Sequence, residues 1–368
     1  MAFDPHKEDY QRLGLRFARS LTTDDPLAAG RAFASFGRRF AQDRDSLPQT
    51  DADRAFHLVA DATTLIDYQL PFATDEEAET IIARGHKLLD EALALDPACH
   101  DALRMKMSAE CPSFESYYDF LREEAPAVKS SCVAQQMASA DDSSSERATL
   151  AAELALRPYL RWLSTLASKA VICGRNREAL RITEEIFELD PADSSDARFT
   201  AALALAKLED ESRLEQLAKR RGLRRLRAAD DAWMRLSFAS VAYRRLDYRA
   251  AREQVSRIVA TYPYAVPTLA MQRELPDGVF ARLAMPPYSE DELVIATSEG
   301  TVLLQEGRDA FGRGSFGTWV MLESIGLATR EQLADLADLL EEIAMRLPGA
   351  LDRTGGPEAR GDSRGGLR

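Results

Sequence analysis

Two prolines set the strongest constraint on what this chain can fold into. Pro191 and Pro263 stand 72 residues apart, and each closes a stretch carrying the same landmarks. Before Pro191 come Ala167 and Ala170, then Gly174, then Ala179, Thr183 and Ile186. Before Pro263 come Ala239 and Ala242, then Leu246 where the first stretch has Gly, then Ala251, Val255 and Ile258. Small residues let two helices approach closely, a left-handed turn separates them, and Pro after the second helix prevents continuation. The interval leaves room for two units of about 36 residues, so Ser194–Asp231 reads as a degenerate middle repeat with helices near "ARFTAALALAKL" and "SRLEQLAKR". A third anchor lies upstream. In "GHKLLDEALALDPACHDALRM", Gly85, Leu89, Ala92 and Pro97 occupy the places of Ala179, Thr183, Ile186 and Pro191.

Helical hairpins of this length and marking resemble tetratricopeptide repeats. The 368 residues are 45% apolar and only 8% aromatic, and the dominance of Leu and Ala favours helix over sheet. The expected fold is all-α: stacked tetratricopeptide-like hairpins in a right-handed superhelix with helical caps at both ends. The expected organisation is an N-terminal helical cap over 1–65, first repeat-like hairpins over 66–128 and a Ser-rich linker or crossover over 129–146. The repeat core follows over 147–264, a Pro-rich crossing with C-terminal helices over 265–347, and a disordered tail over 348–368. The final helix is signalled by a Thr329/Gln332 capping box ahead of a stripe of Leu333, Leu336, Leu340, Ile343 and Leu347.

The stretch "LRPYLRWLSTLASKAVICGRNREALRITEEIFELDPADSSDARF" resembles the core of a bacterial tetratricopeptide family related to the suppressor of tumorigenicity 7 family. Arg157, Pro158, Tyr159, Arg161, Leu166, Ala167, Gly174, Arg175, Glu178, Ala179, Leu180, Leu189, Pro191, Asp193 and Arg198 carry the likeness, with Leu160 where that family has Met. "TYPYAVPTLAMQRELP" and "PPYSEDELVIATSEG" resemble its ending, so the likeness spans Glu77–Met321. It implies a fold and brings no reaction with it.

Candidate chemistry is sparse. "GRGSFG", with Gly312, Gly314 and Gly317, matches a kinase glycine loop and a dinucleotide fingerprint. Trp319 stands where a kinase needs Val, no lysine strand, His-Arg-Asp or Asp-Phe-Gly follows, and no βαβ unit precedes, so a turn between helices is the better reading. His86, Cys99, His100 and Cys111 fit no common zinc spacing, and no metal, cofactor or catalytic residue is expected from them. The four cysteines lack a C-x-x-C pair and read as reduced thiols.

Charge is unevenly spread. The chain carries −13 overall, yet Lys207–Arg257 holds 14 Lys/Arg against 8 Asp/Glu, a local +6. Its densest part, Lys219, Arg220, Arg221, Arg224, Arg225 and Arg227, would form a basic strip on a helix. An acidic protein ligand is the favoured functional reading of that strip, beside the plainer one of a solvated or internally paired face. Nucleic acid is the lesser alternative because aromatic interleaving is missing.

In stacked hairpins the first helix of each pair lines the concave surface. That register places Arg161, Ser164 and Ser168 on the groove from one unit, Trp233, Ser240, Tyr243 and Arg244 from another, and Arg198 from the middle repeat. Such a groove is either open to a partner or filled by the chain's own C-terminal helices. The sequence therefore reads as a non-catalytic interaction scaffold holding an unidentified protein or peptide, an acidic one on the reading of the basic strip. A nucleic-acid-associated regulator is the alternative, and a metal-dependent enzyme a weaker one. No apolar run long enough to cross a bilayer or to act as a secretory signal is seen, and a cytoplasmic location without membrane partners is the expectation.

Overall fold

A computed structural model of the protein describes residues 4–22, 25–70, 73–139, 146–220, 231–275, 286–307 and 314–346. Among these, helix is the only regular secondary structure. The chain runs through α1 (Pro5–Ser20), α2 (Pro26–Asp43), α3 (Asp51–Thr63), α4 (Asp75–Leu95), α5 (His100–Glu110), α6 (Phe114–Ser139) and α7 (Glu146–Ile172). It continues through α8 (Asn176–Leu189), α9 (Ala197–Lys207), α10 (Glu211–Ala218), α11 (Ala232–Arg244), α12 (Tyr248–Thr261) and α13 (Ala265–Met271). Beyond lie α14 (Glu290–Glu299), α15 (Thr301–Leu304), α16 (Ser315–Leu327) and α17 (Arg330–Arg346).

Three successive hairpins, α7/α8, α9/α10 and α11/α12, share one turn geometry. Gly174, Glu209 and Leu246 each take a left-handed backbone, with φ of 74°, 56° and 63°. In each turn this residue's N–H reaches back three residues and the next N–H reaches back five. Gly174 donates to Val171 at 3.0 Å and Arg175 to Ala170 at 2.7 Å, and Leu246 and Asp247 repeat the pattern onto Tyr243 and Ala242 at 2.9 Å each. This paired closure satisfies the last carbonyls of the first helix and turns the chain into the second. The middle repeat, though degenerate in sequence, keeps it through Glu209 and Asp210.

The second helix of each hairpin buries the stripe that its sequence marks. On α8 these are Ala179, Thr183 and Ile186, and on α12 Ala251, Val255 and Ile258. The upstream anchor behaves alike, with Leu89 and Ala92 of α4 fully buried. Gly85 on the same face lies so near α3's extension that a Cβ would come 2.7 Å from the Ile66 side chain.

Three boundaries differ from the sequence expectation. First, α3 continues into a π-helical turn over Thr64–Gln69 and pairs with α4, so it belongs to the first hairpin rather than to a cap over 1–65. Its Ala55, Val59 and Ala62 form a separate core with Leu89, Ala92, Ala102 and Met105. Second, 129–139 of the expected 129–146 linker is the end of α6, whose buried Leu121, Val128 and Cys132 keep helical spacing while Ser130 faces outward. Third, 265–271 of the Pro-rich crossing is helical as α13. Residues 276–285 and the tail from 348 lie outside the described residues.

At the C-terminal end, Thr329 and Gln332 form the expected reciprocal cap, at 3.0 and 3.2 Å. Of the stripe on α17, Leu336 is buried, Leu333 and Leu340 are largely exposed, and Leu347 lies outside the described residues. Of the glycines of "GRGSFG", Gly314 and Gly317 lie where neighbouring chain packs closely. Gly314 caps α16 and Gly317 sits inside it. A Cβ on Gly314 would strike the Glu306 carbonyl, and one on Gly317 would meet Gln272 Oε1 at 2.6 Å. Gly312 lies outside the described residues.

The turn geometry yields a test. Leu246 is 70% exposed, so replacing it removes no core packing, whereas its left-handed backbone costs an L-residue on the order of 1–2 kcal/mol. Leu246→Gly is expected to stabilise the fold by about 1 kcal/mol, and Gly174→Ala to cost a similar amount. Thermal unfolding of the two variants reads both signs.

Candidate functional site

The residues that the sequence assigns to a groove lie on α7, α9 and α11. The chain fills most of it. At one end α1 lies across α3 and α7. Glu8 of α1 is fully buried there, accepting from Arg161 Nη1 at 2.8 Å, from Arg157 at 3.3 Å and from Arg12 at 2.8 Å. Arg161, itself 0% exposed, also donates to Asp101 Oδ1 from Nε at 2.7 Å and to Oδ2 from Nη2. Burial alone would push both carboxyls up. The surrounding guanidinium groups outweigh it, Arg161 foremost, lowering Glu8 and holding Asp101 at about 2. Arg161 is correspondingly raised, since Asp101 and Glu8 overcome its own desolvation.

The C-terminal helices cover the other end. Trp233 stacks on Phe199 at 4.0 Å and donates from Nε1 to Glu299 of α14 at 2.6 Å. Tyr243 packs on Phe316 and Trp319 of α16, each at 5.2 Å. Arg244 pairs with Glu209 at 3.2 Å and with Glu306. The Tyr262 hydroxyl donates to Glu292 at 2.8 Å and accepts from the Ala232 N–H at 2.9 Å, tying α12, α14 and the start of α11 together. Ser164 is buried and bonded to the Leu160 carbonyl, Ser240 is buried, and Ser168 is half-buried.

Of the expected groove residues, Arg161, Ser164, Arg198, Trp233 and Ser240 are buried, and Ser168, Tyr243 and Arg244 are half-buried. The chain's own terminal helices meet Arg161, Trp233, Tyr243 and Arg244. Of the basic strip, Lys219 pairs with Glu215 and Arg220 lies 4.1 Å over the Phe187 ring. Arg221, Arg224, Arg225 and Arg227 lie outside the described residues.

A cavity of about 340 Å³ is lined by α4, α5, α6 and α7. Its wall carries Arg104 of α5, Thr165 and Lys169 of α7, Phe114 and Tyr117 of α6, and His86 of α4. Lys169 Nζ stands 4.8 Å from the Phe114 ring centre and 5.9 Å from that of Tyr117, a geometry that stabilises the cation by the ring quadrupole. Arg104 bonds Thr165 at 3.4 Å, and the Tyr117 hydroxyl donates to the Arg104 carbonyl at 2.8 Å. The π-helical turn supplies Ile66 and Asp67 to the same wall, a placement common for π-bulges near sites. Thr165 and Lys169 carry a sequence signal, since with Arg161 they recur at four-residue spacing along one face of α7; Arg104, on α5, has none.

Cys99 is pushed up to about 12 and Cys132 to about 11, chiefly by burial, so both thiols stay protonated and weakly nucleophilic at neutral pH. His86, Cys99, His100 and Cys111 do not converge, and no group of His, Cys, Asp and Glu among the described residues is arranged to hold a metal. None of the described helices is long and apolar enough to cross a membrane.

A second buried charge cluster sits where α8 passes into α9. Arg198, 1% exposed, lies 3.9 Å from both Asp196 and Asp231 and over the Phe199 ring. Asp193 caps α9, accepting from the Ala197 N–H at 2.7 Å. Burial first, then the neighbouring Asp196, pushes its carboxyl up to about 7. Comparison with protein-family models, curated proteins and solved structures finds no match to this chain.

Two outcomes are expected. Arg161→Met leaves Glu8 and Asp101 buried without their shared cation and should cost about 3–5 kcal/mol in denaturant unfolding. For Asp193, the folded pKa lies above the unfolded 3.8, so the folded state retains a proton that the unfolded chain releases. Its contribution to stability is therefore present below about pH 4 and is lost as pH rises toward 7. Asp193→Asn should raise the melting temperature more at pH 8 than at pH 5. Equal shifts at both pH values would contradict this.

Proposed function

We propose that this chain is a non-catalytic, tetratricopeptide-like interaction protein that holds a partner peptide or helix against the face formed by α3, α5 and α7. The observation that carries the reading is that this face already seats a helix, α1, through buried guanidinium and carboxylate side chains, and carries a cavity lined by α4, α5, α6 and α7. Stacked hairpins use this face for extended partners. Lys169, Arg104 and Phe114 then offer a charged and aromatic anchor point of the kind that dominates interface energetics. The right-handed superhelix, the kinship with the bacterial tetratricopeptide family and the cytoplasmic setting belong to the same proposal, supported by the repeated turns at Gly174, Glu209 and Leu246. The protonated, buried thiols accord with a scaffold rather than a nucleophilic enzyme.

The test places a photo-crosslinking residue at Ile82, which lines the cavity and is 40% exposed, in the full-length protein expressed in cells. A discrete protein adduct is expected, and Lys169→Glu should reduce it at least about fivefold, the loss of roughly 1 kcal/mol of binding. An adduct unchanged by Lys169→Glu, or adducts formed only with nucleic acid, would overturn the reading.

A further inference from the structure

The helix seated at the N-terminal end of this face has an unusual attachment. Its apolar side chains turn away from the repeat stack. Leu13 packs with Phe36 and Leu47, with Phe17 and Phe40 around them, as a small core of its own, distinct from the two cores of the stack. Tyr10 likewise meets Phe36 and Phe40, at 5.4 and 5.1 Å. What faces the stack is polar. Glu8 binds Arg161 and Arg157, and Gln11 accepts from Arg157 at 2.9 Å. Arg16 pairs with Asp53 at 2.8 Å, and His6 bonds Thr64 at 2.7 Å. Arg12 lies over the Phe56 ring at 4.1 Å. Asp9 is held by Arg44, at 2.6 and 2.8 Å, and meets the stack at His57, 3.0 Å away, while Arg44 donates to the Asp53 carbonyl of α3 at 3.1 Å.

We infer that the α1–α2 hairpin is a displaceable intramolecular ligand, and that the surface under it accepts a partner helix presenting a carboxylate to Arg157 and Arg161 as Glu8 does. Buried ion pairs repay their desolvation only narrowly, so an attachment made of them contributes little net free energy, and a competing carboxylate replaces it at small cost. A unit with its own apolar core separates without unpacking the stack. Once α1 leaves, Arg157 and Arg161 both lose Glu8, while Asp101 stays paired with Arg161. The vacated position between the two guanidinium groups accepts a carboxylate, so a partner helix must carry Asp or Glu there, and Asp53, parted from Arg16, favours a basic residue where α1 presents one. The inference rests on the reading of this face as a binding surface and adds how access to it is controlled.

Hydrogen exchange on the unmodified full-length protein tests the release. Amides of α1 and α2 are expected to exchange at least about tenfold faster than those of α7, and faster still at raised salt. Equal protection of α1 and α7, independent of salt, would show that the hairpin opens only with global unfolding and would overturn the inference. A fluorescent peptide of Asp4–Ser20 tests the surface. Full-length Glu8→Gln should bind it at least about tenfold more tightly than the unsubstituted protein, and equal binding to both overturns the inference. Should Glu8→Gln fail to fold, the exchange measurement still decides. Fast exchange and peptide binding without any adduct at Ile82 would leave the displaceable hairpin standing and remove the cavity-based reading instead.

Discussion

The guanidinium of Arg161 is the contact on which the arrangement of the stack's first half depends. It has five donors, no exposed surface, and no protonation state in which it would be neutral. Such a group can be buried only where acceptors are brought to it from several directions. Asp101 comes from α5 and Glu8 from α1, so one side chain of α7 fixes the approach of two other helices. The requirement is geometric more than energetic. An apolar trio of similar volume would pack as well, but would not dictate which residue of α1 lies opposite which residue of α7.

Around this centre, backbone geometry and small residues set the spacing of the helices. The turns at Gly174, Glu209 and Leu246 close first helices onto second ones by the same pair of hydrogen bonds, and only one of the three is glycine. The fold therefore tolerates backbone strain at exposed positions in exchange for a constant hairpin angle. Elsewhere glycine serves proximity. Gly85 admits Ile66, and Gly317 lets the Gln272 amide donate to its carbonyl at 2.7 Å.

Much of this was legible in the sequence, and the reasons for the rest are specific. The two prolines with their alanine register located α8 and α12 and their buried faces, because the second helices are amphipathic and periodicity reports burial directly. Whether the groove is open or filled is not legible in the register, which tells which residues share a face and not what lies upon it. The composition of the first helices held the missing information. In α9, every residue from Ala197 to Ala206 is buried, and "ARFTAALALA" has no polar side to give to solvent. A helix apolar all round is covered all round, which already argues against an open groove at Arg198. The Ser-rich stretch over 129–139 was read by composition, whereas Leu121, Val128 and Cys132 maintain the helical period through it. The cavity residues escaped because Arg104 and Lys169 lie far apart in sequence and meet only through the stacking of α5 on α7.

The two seated groups also change the mechanics of the array. A stack of hairpins touching only their neighbours behaves as a spring, with pitch and curvature adjusting to load through small rotations at each interface. Here Trp233 is joined to Glu299 and Arg161 to Glu8, links that bridge 66 and 153 residues of chain. Struts of that span run across the row of helices instead of along it. The stack is braced at both ends only while α1 is seated, so release of α1 would loosen its N-terminal half and leave the Trp233–Glu299 strut in place.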